Sequence, residues 1–341
     1  TSSVTDMPNA WYNCGNLTSF PLIDTSSVTD ISGAWSQSRI TSFPAIDTSN
    51  AVNLYRMLFN NTALTSFPAI DLSSAENISN AWGYCYSLGN FPALDYSNIK
   101  DMSYAWASQP ITSFTNTGNF NNVENCEGAW SGCSNLTSFP AIDFPNCTNM
   151  SYAWQNCTNL TSVNIVDTSK VQNFSNTFAG CTSLTSIPFF DSSSCTNFTG
   201  IFSYNTPLSN PPLIDMSNGT EMYLLFFNST ALVTCPAYDF SSGRIFQQAF
   251  SGCSNLVNFP ANMFDNTGPL ISASFNFTFS SCALSVQSME NILVSMDTNG
   301  ASNVKADFNY GTSAGKSTWT AATNTAYNNL VSKGWTISFN P

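Results

Sequence analysis

A branched aliphatic residue recurs along this chain at Leu17, Ile40, Leu64, Leu88, Ile111, Leu136, Leu160, Leu184, Leu208, Leu232 and Leu256. A second column runs five or six residues ahead of it: Trp11, Trp35, Leu58, Trp82, Trp106, Trp130, Trp154, Phe178, Phe202, Phe226 and Phe250. Two columns in step, at intervals close to 24 residues, define about eleven tandem units. Repeats of this length cannot bury a core alone, so they stack, and each contacts only its neighbours. The large aromatics Trp11, Trp35, Trp82, Trp106, Trp130, Trp154, Phe178, Phe202 and Phe250 are therefore expected to form the core.

Each unit reads in two halves. In Cys147–Cys157 apolar residues fall at i, i+3, i+7 and i+10, which predicts one face of a short helix. The other half, Leu-Thr-Ser-Phe-Pro-Ala-Ile-Asp at Leu64–Asp71, has the spacing of a leucine-rich-repeat strand. Strands of successive units would pair in parallel at ~4.8 Å. Proline follows the Phe column in most units (Pro21, Pro44, Pro68, Pro92, Pro140, Pro188, Pro236, Pro260). It cannot donate to a ladder, so each strand should be only two or three residues long and end at the Pro. The expected fold is an α/β repeat solenoid, a leucine-rich-repeat-like right-handed coil of short helix plus short parallel strand.

The pattern fades after Phe259-Pro260. Residues 1–262 are expected to form the solenoid and 263–341 a C-terminal α/β cap. In the cap, Val286–Met296 reads as a helix stopped by Asn299-Gly300. Thr318–Lys333 reads as a second helix stopped by Gly334, and Trp335, Ile337 and Phe339 alternate as a final strand. The sequence opens in mid-repeat, at Thr-Ser-Ser-Val. The coil of Val4, Met7 and Trp11 is thus expected to be covered by upstream residues or by other subunits of a larger assembly.

Charge narrows the function. Eight Lys+Arg against twenty Asp+Glu give a net charge of −12. No basic cluster is present to neutralise phosphates, which disfavours nucleic acid. No apolar run is long enough to span a bilayer, so membrane insertion is not expected. Histidine is absent, which removes the commonest general base and the Ser-His and Cys-His nucleophile pairs. The eleven cysteines are odd in number, so at least one is unpaired within the chain.

The string Ala129-Trp-Ser-Gly-Cys-Ser-Asn-Leu-Thr-Ser-Phe-Pro-Ala-Ile-Asp143 resembles the BspA-like leucine-rich repeat family of surface proteins. Its Ala-Trp and Phe-Pro variant is similar to repeats of marine bacteriophage structural proteins. So is the ending, Glu290-Asn-Ile-Leu-Val-Ser-Met and Thr325-Ala-Tyr-Asn-Asn-Leu-Val-Ser-Lys-Gly-Trp-Thr-Ile. The resemblance implies surface display, adhesion, or a place on a phage tail or fibre. It carries over no ligand and no catalytic residue.

Four features invite a functional reading. An Asp column (Asp24, Asp47, Asp71, Asp95, Asp143, Asp167, Asp191, Asp215, Asp239), broken at Gly118, offers stacked carboxylates. Neighbours such as Asp47, Asp71 and Asp95 are candidate calcium ligands; the opposing reading has each Asp accept amides of its own turn. A Cys column (Cys14, Cys85, Cys133, Cys157, Cys181, Cys253) reads as buried thiols or as vertical disulfides. Its gaps at Ser38, Asn61, Gln109, Asn205 and Ser229 show no pairing logic. Tyr84, Tyr86, Tyr96 and Tyr104 gather in coils four and five and are the candidate ligand contacts, since Tyr rings stack on sugars. Sequons such as Asn16, Asn135 and Asn159 follow from a repeat rich in Asn, Ser and Thr.

The expected function is an extracellular or virion-surface binding and structural module that adheres to a host-surface glycan or protein, without cofactor or metal and without catalysis. The alternative to a phage tail or fibre is a bacterial or protist cell-surface adhesin, and two other classes are weighed. A polysaccharide-degrading enzyme needs two carboxylates in distinct environments, whereas the Asp column repeats one environment. An ice-binding face on Thr18-Ser19, Thr41-Ser42 and Thr65-Ser66 is interrupted at Gly89, Val233 and Val257.

Overall fold

Each coil turns on two backbone positions of left-handed conformation, four residues apart: Asn9 and Asn13, Gly33 and Gln37, Arg56 and Asn60, Asn80 and Tyr84, Tyr104 and Ser108, Gly128 and Gly132, and so on to Gln248 and Gly252. The structure, a computed structural model, describes residues 3–89, 91–115, 118–165 and 167–340. Two compact units, Thr1–Val171 and Gln172–Pro341, divide the chain. Each is a repeat solenoid.

The half-coil expected to be helical is instead a chain of tight turns. From Ile31 to Gln37, alternate amides serve two directions. Gly33, Trp35 and Gln37 donate to Tyr55, Met57 and Phe59 of the next coil at 2.7, 3.0 and 2.7 Å. Ala34 and Ser36 donate three residues back, to Ile31 and Gly33. Gly33 is the third residue of the Ile31–Ala34 turn, where its positive φ is what a type II turn requires. The second unit repeats the scheme, with Phe174, Asn176 and Phe178 donating to Asn197, Thr199 and Ile201. Apolar spacing alone could not separate this from a helix, because both point every third or fourth residue inward. Asn or Gly, the residues that take this conformation most readily, holds many of the left-handed positions, and Tyr, Gln, Arg, Ser or Leu the others.

The opposite half holds strands cut to single bridges, among them Ser42↔Ser66, Ser113↔Ser138 and Ser138↔Ser162, all parallel. Each of these lies two residues before the Pro position, held by Pro44, Pro68 and Pro140 and elsewhere by Thr115 and Asn164, and Pro cannot donate to the ladder; the strand does not end there everywhere, since Ile142 bridges Ile165 beyond Pro140. Between the halves lies the core. Trp35, Trp82, Trp106, Trp130 and Trp154 are fully buried. Trp106 stacks on Trp130 at 5.7 Å, and Phe139 meets Trp130 edge-on at 4.6 Å. In the second unit Phe178, Phe202, Phe226 and Phe250 stack in the same way. Offset and edge-on pairs of this kind add about 0.5–1.5 kcal/mol each beyond area burial. Trp11 is the exception to the expected core. It stacks on Trp35 at 5.3 Å but is only partly buried.

The coil scheme also continues past residue 262, where a boundary was expected. Phe246, Gln248, Phe250 and Gly252 donate to Ser274, Asn276, Thr278 and Ser280, and Phe277 and Ser281 carry the two positive φ angles. A twelfth turn run thus follows a longer loop. The remaining elements are helix α1 (Val286–Asn299), strand β1 (Lys305–Phe308), a 3-10 turn Lys316–Thr318, helix α2 (Ala321–Ser332) and strand β2 (Thr336–Phe339). β1 and β2 pair in parallel, Lys305 opposite Thr336. Both expected helices and the final strand are present; β1 was not foreseen. Ser285 and Thr320 cap the helices, and Gly300 in the left-handed region ends α1. Helix α1 lies along the eleventh coil and satisfies its backbone: the Ser288 hydroxyl accepts from Phe259 N–H and donates to Val257 C=O, both at 2.8 Å.

Candidate functional site

The Asp column is a column of turn caps. The Oδ1 atoms of Asp47, Asp71 and Asp95 accept the amides of Ser49, Ser73 and Ser97 at 3.0, 2.8 and 2.9 Å. Asp24, Asp47 and Asp191 also accept the hydroxyl two residues on, each at 2.7 Å. These hydroxyl bonds, then the amides, hold the three carboxyls below their ordinary value of 3.8. The gap expected at Gly118 is filled one residue later, where Asn119 accepts from Asn121. Pro145 offers Asp143 no such amide. Among the described residues no three Asp, Glu or Cys come together as a metal-holding group, so Asp47, Asp71 and Asp95 are not assembled into one.

A second Asx column, six residues further along, was missed. Asp6, Asp30, Asn53, Asn77, Asp101, Asn125 and Asn149 bridge one another in the first unit, and Asn173 and Asn197 in the second. Asp30, Asn53 and Asn77 each accept the amide two residues on at 2.8–3.1 Å. The signal was present in the sequence as Asx at a constant offset, masked by the exchange of Asp for Asn.

The Cys column has a pairing logic after all. Cys85, Cys133, Cys157 and Cys253 donate their thiols to the carbonyls of Leu58, Trp106, Trp130 and Phe226, one coil back, at 3.0–3.2 Å. The gap residues do the same: Ser38 to Trp11, Asn61 to Trp35, Gln109 to Trp82, Asn205 to Phe178 and Ser229 to Phe202. The column is one of hydrogen-bond donors. The cysteines are thiols, buried except for half-buried Cys14. Burial pushes Cys85, Cys133 and Cys253 up to about 12, which removes them as nucleophiles.

The four tyrosines do not form one surface. Tyr96 is fully buried and stacks on Phe120 at 5.2 Å, so it belongs to the core. Tyr104 lies over Gly128, where a Cβ would overlap its ring, and donates to Glu127 at 3.0 Å. Burial, then Glu127, pushes its phenol upward. Tyr84 and Tyr86 remain a pair at 6.2 Å, with Tyr86 54% exposed.

The residues that frame a cavity lie elsewhere. A groove of about 340 Å³ opens across coils one to three, within the size range of ligand pockets. Its floor is Ser32, Gly33 and Ser36; Asn9 leans over Gly33. Tyr12 stands at one side and Tyr55 and Arg56 at the other, the two rings 48% and 39% exposed. The Arg56 guanidinium lies over Phe59 at 4.3 Å and over Tyr55 at 5.7 Å. Arg56 also holds a left-handed φ of 54°, a position that favours Asn or Gly. The sequence signal was a set of bulky residues at repeat positions that are small one coil away.

The model of the family described as "Mycoplasma protein of unknown function, DUF285" matches residues 5–138 and 146–267. The chain belongs to this DUF285 family. Its matched stretches cover the turn runs and stop within the loop before the twelfth. No curated protein matches the chain significantly. Among solved structures it is similar to a chain of a TLR13–ssRNA13 complex, at 16% identity and a TM-score of 0.26. That match covers 89% of this chain and 43% of the other, so this chain spans less than half of it. Among the described residues no helix is long and apolar enough to cross a membrane.

Proposed function

We propose that the chain is a non-catalytic binding and structural module displayed on an extracellular or virion surface, where it takes part in adhesion to a host-surface glycan or protein. The observation that carries this reading is the division of labour among its polar side chains. The repeated ones are spent on the scaffold: the two Asx columns cap turns, and the Thr41 and Thr65 hydroxyls donate to the preceding coil at 3.2 and 3.1 Å. Residues that depart from the repeat, Tyr12, Tyr55 and Arg56, line a groove instead. A scaffold made by the repeat and a recess made by its exceptions suits ligand display more than chemistry.

Two further points support it. The chain has no histidine, and its turn-capping carboxylates share one repeated environment, whereas acid–base pairs need environments that differ. The resemblance of Ala129–Asp143 to BspA-like repeats, and of the Ala-Trp/Phe-Pro variant to phage structural proteins, points to display at a surface and to a tail or fibre. The experiment is to label the purified chain and measure its adhesion to intact bacterial and eukaryotic cells and to extracted envelope glycans, while assaying reducing-end release. Saturable adhesion with no release is expected. Steady release of reducing ends, or absence of adhesion to every surface tried, would remove the reading.

A further inference from the structure

We propose that the groove of coils one to three binds a carboxylate-bearing sugar, a hexuronic or sialic acid residue of a glycan, a proposal that rests on the surface-binding reading and names its ligand class. The slot has a structural origin. Tyr12 comes just before the second left-handed position of coil one and Tyr55 just before the first of coil three, so the two rings line the groove from different coils and different positions along the turn run. Coil two places only Ser32, Gly33 and Ser36 between them. A groove of about 340 Å³ edged by two exposed tyrosines has room for a pyranose ring, which can stack on an aromatic face. In coil six the equivalent space beside Gly128 is filled by the Tyr104 ring. At Gly33 the smaller Asn9 carboxamide takes that space, and it can both donate and accept with sugar hydroxyls.

Arg56 selects the acid. A guanidinium presents planar paired donors that match a carboxylate. Its orientation is fixed by Phe59 and Tyr55, so little freedom is lost on binding. Neither of the two ion pairs formed among the described residues involves it; those are Lys100–Glu76 and Lys333–Asp297. Its Nε is buried without a hydrogen-bond partner, so an incoming carboxylate would meet the two terminal Nη groups. The chain carries twenty acidic residues against eight basic ones, so a cation left without a carboxylate is not for want of acids.

The test uses the whole chain and matched probes: sialyllactose against lactose, and trigalacturonate against its methyl ester, titrated by calorimetry. At least one acidic member should bind about ten-fold or more tighter than its neutral partner, the expected worth of a charge-assisted pair. Arg56→Gln should abolish that preference, Tyr12→Ala should weaken binding of both members, and Tyr310→Ala, on an exposed ring of the cap, should change neither. Circular dichroism of each variant checks that it is folded. Equal affinity for acidic and neutral probes, no binding of any probe, or an unaltered preference in folded Arg56→Gln would overturn the proposal. Adhesion to cells retained in full by Arg56→Gln and Tyr12→Ala would sink the groove while leaving the module reading standing. Adhesion absent from the unaltered chain would sink that reading itself.

Discussion

The thiol of Cys133 donates to the carbonyl oxygen of Trp106, one coil back, at 3.1 Å. That carbonyl also accepts the Gln109 amide at 3.3 Å, so the thiol fills a second lone pair inside the core. Replacing Cys133 with Val should cost about 1 kcal/mol, the usual net worth of one hydrogen bond. Cys133→Ser should cost less, because Ser229 reaches the Phe202 carbonyl at 2.7 Å from the same column position. Urea denaturation of the three proteins checks the order; a Val variant as stable as the parent would show that the bond contributes nothing.

Thiol chemistry should divide the cysteines sharply. Ten of the eleven are buried, and burial holds Cys85, Cys133, Cys195 and Cys253 at about 12. At about pH 8 a thiol-reactive dye should modify Cys14 first in the folded chain, and all eleven after unfolding without reductant. Fewer than eleven in the unfolded chain, by mass spectrometry, would reveal disulfides.

Gly128→Ala should destabilise by roughly 1–2 kcal/mol, since it adds a Cβ both to a left-handed backbone and to the space taken by the Tyr104 ring. Part of that cost should vanish in a Tyr104→Ser background. A double-mutant cycle measures it, and strictly additive effects would mean that the ring is not the obstacle.

Acid should loosen the turns. Asp24, Asp47 and Asp191 have carboxyls depressed below 3.8 by Ser hydroxyls and then amides. A depressed folded pKa gives stability that is complete above the unfolded value and is lost as pH falls through the folded one. The Tm should therefore drop below about pH 4. The triple Asp→Asn variant keeps an acceptor for each turn amide and should show a shallower drop. Identical pH profiles would indicate that other carboxyls control the transition.

The cap should be sensitive at one hydroxyl. Ser288 is buried and serves two backbone groups of the eleventh coil. Ser288→Ala leaves Phe259 N–H and Val257 C=O short of that partner, at a cost of about 2 kcal/mol. Hydrogen exchange at Phe259 should accelerate with it, whereas an exchange rate equal to the parent's would show that water replaces the hydroxyl.

The sequence by itself determined the repeat, its core columns and both cap helices. Each rests on periodic burial of side chains, and a period survives in one dimension. It also held the turn role of Asp47 and Asp71, because an Asx residue followed by Ser two places on is a local arrangement. What only the tertiary structure decided depends on neighbours one coil away. The inward spacing around Trp154 fits a helix and a run of turns equally; the turns prevail because alternate amides, such as those of Trp35 and Gln37, find carbonyls in the next coil. Ser38, Asn61 and Cys85 look unrelated as residue types, and share a role only when a main-chain carbonyl faces each of them. Tyr96 and Tyr86 look alike in sequence, yet one points into the stack and the other outward. Tyr12, Ser36 and Arg56 are far apart along the chain and meet only because stacking places three successive coils side by side, which no local pattern encodes.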